Sequence, residues 1–182
     1  MRVLVVAGGR SGATMSLAEA IGEQFTIAGH RAAVAPARAA PAPGRFDAAV
    51  LGGCLHFGLW NAELKRWIDR QARSLRRIPF AAFTVGLPQM HMGGPRSATR
   101  AASAVLEPNA LTPVALAAFD GWWYPDKVAD GDRQLVAESG TRQPEGDYRD
   151  LDAVAAWAQV VVPLLSGPGA QSAGRVEGAQ TG

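Results

Sequence analysis

The chain has 182 residues, 48% of them apolar and 19% charged, with a formal net charge of +2 and a single cysteine, Cys54. That length buries a substantial core as one domain. One cysteine excludes an intramolecular disulfide and points to a reducing compartment, and no apolar run approaches the length that spans a membrane. No leader-like apolar stretch precedes the first charged residues, so a cytoplasmic location is expected. Charge is unevenly spread: residues 63–77 carry Lys65, Arg66, Arg70, Arg73, Arg76 and Arg77 against Glu63 and Asp69, whereas 120–152 carry nine acids against four bases. Without aromatic interleaving or a nucleic-acid motif, the basic stretch reads as a solvated face and no nucleic acid is expected. At most it offers weak, salt-screened peripheral contact with an anionic membrane.

A first strand, predicted over 2–7, runs through Gly8-Gly9-Arg10-Ser11-Gly12-Ala13-Thr14 into a helix predicted over 15–29. Glycines and hydroxyls at such a junction bring backbone N–H groups together at the helix start, where the macrodipole favours an anion. No Lys follows the last glycine, so the ATPase loop is absent, and the spacing is not G-x-G-x-x-G. The end of the second strand, Pro36-Ala37-Arg38, also lacks an acid to grip a ribose. A mononucleotide phosphate fits best. The plain alternative is a strand-to-helix turn capped by Ser11 or Thr14. Within the helix, Leu17, Ala18, Ile21, Phe25 and Ala28 form one apolar stripe, and Ser16 with Glu19 has the spacing of a capping box.

Further apolar β-rich runs fall at 31–36, 47–53, 79–86 and 113–119. The prolines of 37–44 weaken any helix there, and an extended crossover is expected. A helix over 62–77 places Leu64, Trp67, Ile68, Gln71, Ala72 and Leu75 on one side and Arg66, Arg70, Arg73 and Arg77 opposite. Another runs from 96 to 107. The last, capped by Asp150, carries Leu151, Val154, Ala155, Ala158, Val162 and Leu165. From Ser166 onward large apolar residues almost vanish, so 1–165 reads as the domain and 166–182 as a disordered tail.

Strands alternating with helices predict an α/β fold, a doubly wound five-stranded parallel sheet of order 2-1-3-4-5 with helices on both faces. Ligands bind such sheets beyond the carboxyl ends of the strands, at the switch point between strands one and three. Two loops emerge there: 8–14 and 52–61. Gly53, Cys54, Leu55, His56, Phe57, Gly58 and Trp60 offer free backbone and aromatic faces for a flat ring, and Gly86, Leu87, Pro88 and His91 would close its other side. His56 and His91 are candidate catalytic proton donors. Ordinary packing is the alternative for each ring. No Cys/His cluster has metal-ligand spacing, so no metal is expected.

Gly9-Arg10-Ser11-Gly12-Ala13-Thr14 resembles the T-R-x-G-x-T phosphate loop of the flavodoxin-like superfamily. With the 52–60 loop and Pro144-Glu145-Gly146-Asp147-Tyr148-Arg149-Asp150, it is similar to the flavodoxin-type, menaquinone-dependent protoporphyrinogen oxidases and their uncharacterised flavodoxin-domain relatives over about residues 2–165. The resemblance implies FMN, its phosphate held by Gly9, Arg10, Ser11, Gly12, Ala13 and Thr14 and its ring flanked by 53–61 and 86–94. It also implies an FMN-dependent oxidoreductase passing electrons from an organic reductant, protoporphyrinogen IX in its most specific form, to a quinone or similar acceptor; a homo-oligomer stays open. Gly9 stands where the family usually carries a hydroxyl, so a Thr there is expected to add a phosphate contact. The polar, acidic 120–140 replaces an apolar, basic stretch of the membrane-associated oxidases. Two other classes stay open: a flavodoxin-like electron carrier, against which a sequence pI near 9.1 counts, and a flavin-free binding or scaffold protein with a degenerate site.

Overall fold

The computed structural model describes residues 1–9, 11–56, 59–87, 94–128, 130–138, 140 and 144–167. Its main sheet is built from β1 (Arg2–Gly8), β2 (Arg31–Pro36), β3 (Ala48–His56), β5 (Phe80–Gly86) and β6 (Leu116–Asp120), parallel in the order β2-β1-β3-β5-β6. This is the expected 2-1-3-4-5 order. The numbering shifts because a two-residue strand, β4 (Leu59–Trp60), turns back antiparallel on the end of β3. β1 is buried along its whole length from Val3, as a strand covered on both faces must be, which explains its unbroken apolar run.

Side chains alternate between two cores. On one face Val3, Val5, Val50, Phe83 and Val85 pack with Leu17, Ile21 and Phe25 of α1 (Ala13–Ile27) and Val154, Ala158 and Val161 of α5 (Leu151–Ser166). On the other, Leu4, Val6 and Leu51 meet Leu64, Trp67, Ile68 and Leu75 of α2 (Ala62–Leu75) and Ala102, Val105 and Leu106 of α3 (Pro95–Leu106). Gly22 lets α1 approach the sheet closely, since a Cβ there would stand 2.6 Å from Val34 Cγ2. The crossover after β2 forms no α-helix: it turns at Ala39 and then makes a short 3-10 turn at Pro43–Arg45, and its Ala40 carbonyl accepts the indole N–H of Trp67 at 3.1 Å.

Several boundaries differ from expectation. α1 starts at Ala13 behind Gly12, so Ser16 lies inside the helix, its hydroxyl donating to the Ala13 carbonyl at 2.9 Å, and the Ser16–Glu19 capping box does not form. β6 starts at Leu116, and α5 extends through Ser166 into the segment expected to be tail; 168–182 lie outside the described residues. The described residues of the acidic stretch after β6 form further elements. β7 (Trp122–Trp123) pairs antiparallel with β8 (Gly146–Asp147) across α4 (Asp130–Glu138), so the chain leaves the sheet end and returns to it.

Candidate functional site

Register brings the carboxyl ends of the strands level: Gly8 lies opposite Gly53, Gly53 opposite Thr84, and Gly86 opposite Asp120. Just beyond β6, the Gly121 N–H donates to the Gly86 carbonyl at 2.8 Å, and a Cβ at Gly121 would lie 3.4 Å from that of Ala13. The first turn of α1 thus rests directly against the ends of β5 and β6.

Gly12 is the N-cap of α1 at φ +89°, a left-handed conformation that suits glycine. No side chain caps this terminus and its first turn holds no acid. The first helical amides are therefore left as donors without a side-chain acceptor. Beneath them, Thr14 is 2% exposed, and among the described residues its hydroxyl makes no hydrogen bond. A buried hydroxyl without a partner costs about 1–3 kcal/mol. It lies against the exposed Gly9, where a Cβ would stand 2.6 Å from Thr14 Oγ1 and 2.9 Å from its Cβ. The expectation that a Thr at position 9 would simply add a contact is thereby corrected: a side chain there collides with Thr14.

A second layer braces this loop. The Trp122 indole N–H donates to the Ser11 carbonyl at 3.1 Å, and its ring edge comes 3.1 Å from where a Cβ on Gly12 would sit. The Arg149 guanidinium lies 4.3 Å over the Trp122 ring and donates through Nη1 to Ser16 Oγ at 2.6 Å. Asp147 fixes it from the other side, accepting from Nε at 2.8 Å and Nη2 at 2.5 Å. Those hydrogen bonds hold the Asp147 carboxyl below its usual range and push the Arg149 pKa up. Nothing local in the sequence flags Trp122; its position just past the fifth strand of the main sheet is the one available signal.

At the ring side, Gly52 is overlain by Phe83 and Gly53 by Trp60, where an added Cβ would meet the rings at 2.0 Å and 2.5 Å. Trp60, expected to face a ligand, is 3% exposed and donates to Thr84 Oγ1 at 3.2 Å, while Thr84 donates to the Gly53 carbonyl at 3.1 Å. This ring is therefore a buried prop under the end of β3 and presents no open face for stacking. Cys54, Leu55, Gly86 and Leu87 are half-buried along the same edge. Arg10, Phe57, Gly58, Pro88 and His91 lie outside the described residues, as does the side chain of His56. Among the described residues no His, Cys, Asp and Glu group could hold a metal, and no helix is long and apolar enough to cross a membrane.

A family model described as the flavodoxin domain matches residues 4–146. Among solved structures, the chain is similar to a flavodoxin from the domain Archaea, with 15% identity over 92% of this chain and 100% of that one and a TM-score of 0.60. A short-chain flavodoxin associated with a non-canonical PDU bacterial microcompartment gives 10% identity, 91% and 99% coverage and a TM-score of 0.61. The rubredoxin oxygen:oxidoreductase of Desulfovibrio gigas gives 12% identity over 91% of this chain and 36% of that one, with a TM-score of 0.57. At these identities the likeness is one of fold. No curated protein matches the chain.

Proposed function

Because this chain belongs to the flavodoxin-domain family, a family of flavin-binding electron-transfer domains, we propose that it binds FMN and works as an FMN-dependent oxidoreductase. It takes electrons from an organic reductant and passes them to a quinone or similar acceptor, with protoporphyrinogen IX the most specific substrate its sequence resemblance implies. Bound FMN supplies the reversible electron chemistry; the chain supplies grip, orientation and electrostatics. The amides of Ala13 and Thr14, with the Ser11 and Thr14 hydroxyls, would hold the phosphate. Gly53, Cys54 and Leu55 on one side and Gly86 and Leu87 on the other would line the ring, and His56 and His91 would move protons.

The observation that carries this reading is the Thr14 hydroxyl, buried and unpartnered among the described residues beneath the uncapped start of α1. An anion seated over Gly9 supplies the acceptor that both lack. A ligand that binds only the native state raises its stability by RT ln(1 + [L]/Kd). Thermal melts with FMN, FAD and riboflavin should therefore shift most with FMN, and the protein should carry a flavin absorbance band. Colourless protein with no shift at any FMN concentration would favour the flavin-free scaffold.

A further inference from the structure

Resting on the FMN reading above, we propose that Trp122 and Arg149 are positioning residues: together they clamp residues 11–16 in the conformation that accepts the phosphate. Three contacts define the clamp. The Trp122 indole N–H holds the Ser11 carbonyl at 3.1 Å, turning that peptide so that its oxygen faces the indole. The edge of the same ring backs Gly12 at the point where its left-handed φ of +89° reverses the chain into α1. Arg149 then stacks over the ring at 4.3 Å and ties the assembly to the helix through Ser16 Oγ at 2.6 Å.

Electrostatics gives this arrangement its direction. A guanidinium beside the first turns of a helix opposes the macrodipole, whose positive end lies there. Arg149 is tolerated because Asp147 neutralises part of its charge through paired hydrogen bonds at 2.8 Å and 2.5 Å. Its side chain is only 17% exposed, so this charge is poorly screened by water. Seating a dianion at the loop turns an unfavourable juxtaposition into a favourable one without requiring Arg149 to touch it. A cation there for surface solubility would have no reason to stack on a ring, bond a helix hydroxyl and be held by its own acid. The clamp also accounts for the β7–β8 pair: pairing of Trp122 with Asp147 places ring and carboxylate side by side, so Arg149, two residues on, reaches both.

The test uses the full chain with Trp122→Phe, which removes the indole donor, and Arg149→Lys, which keeps charge but loses the planar fork. In the ligand-free protein, exchange of the Ser16 amide, which donates to the Gly12 carbonyl at 3.0 Å, should rise at least tenfold in both variants while exchange in β1 and β3 stays unchanged. Their Kd for FMN should weaken about tenfold, with that for riboflavin moving less than threefold. Unchanged exchange at the Ser16 amide would overturn the clamp, whatever FMN does. Faster exchange with unaltered FMN affinity would overturn its link to phosphate. If wild type shows no preference for FMN over riboflavin, the FMN reading itself fails, and the ligand-free exchange still decides whether the clamp exists.

Discussion

α1 and α5 pack side by side on the same face of the sheet, yet their amino ends are finished in opposite ways. α5 is self-sufficient: Asp150 caps it, its side chain accepting from the Ala153 N–H at 2.8 Å, and Asp152 sits in the first turn. α2 follows the same rule with Asn61 as its cap and Glu63 in the first turn. α1 has glycine for a cap, no side-chain acceptor and no acid. α3 also lacks a capping side chain, but Pro95 in its first turn removes one of the donors. The contrast is the one an anion site at α1 would require: a helix whose amides served an external anion would forgo the residues that stabilise ordinary helix ends.

Making α1 resemble α5 is the strongest way to break that contrast. Gly12→Asp places a carboxylate where the phosphate is proposed to sit and should weaken FMN about 100-fold, roughly 2.7 kcal/mol, with riboflavin moving much less. The φ of +89° should also cost the fold about 1–2 kcal/mol, measured by urea unfolding. Retained FMN affinity would place the phosphate elsewhere.

Thr14→Val sharpens the same contrast with an isosteric change. Removing a hydroxyl whose bonding partner is the proposed phosphate should weaken FMN about tenfold, roughly 1.4 kcal/mol, by fluorescence titration. The ligand-free protein should meanwhile unfold at equal or higher urea, because the variant no longer buries an unpartnered polar group. A destabilised ligand-free protein would mean that Thr14 has a structural bond.

For α5 the pattern reverses. Asp150→Ala should cost about 1 kcal/mol of stability, the usual worth of a cap, and leave FMN affinity within error. Loss of FMN binding would show that the two termini are not independent.

The smallest effect concerns acid. Hydrogen bonds from Arg149 lower the folded-state pKa of Asp147 beneath its ordinary 3.8, so the carboxylate contributes stability at neutral pH. That contribution declines as pH falls toward and below 3.8 and is gone beneath the lowered folded value. Because Asp147 is 38% exposed, solvent screening keeps the effect small. Urea melts between pH 2 and 6 should show a shallower acid limb for Asp147→Asn than for wild type; identical slopes would mean the pair adds no stability.

The sheet and its order were legible because both-face burial writes continuous apolar runs, and right-handed crossovers leave few orders open. The Leu17–Phe25 and Leu64–Leu75 stripes follow helical period and fall where expected. Local competition was harder to read. Ser16 and Glu19 have capping-box spacing, but the left-handed Gly12 starts α1 four residues before Ser16. Trp60 sits in a loop whose glycines and aromatics read as a ligand face, while its burial depends on Gly53 and Thr84 across the sheet. Trp122 has no local signature: its partner at Ser11 stands 111 positions away, and no periodicity carries information over that distance.

That separation has a consequence in time. Bonds spanning 111 and 133 residues, from Trp122 to Ser11 and from Arg149 to Ser16, are among the last a chain can close, because long loops carry the larger entropic cost and non-local contacts form slowly. A chain emerging during synthesis could pair β1, β2 and β3 before Arg149 exists, but the loop after β1 would wait for it. Cofactor capture would then act as a completion signal, reporting that the two distant ends of the domain have met.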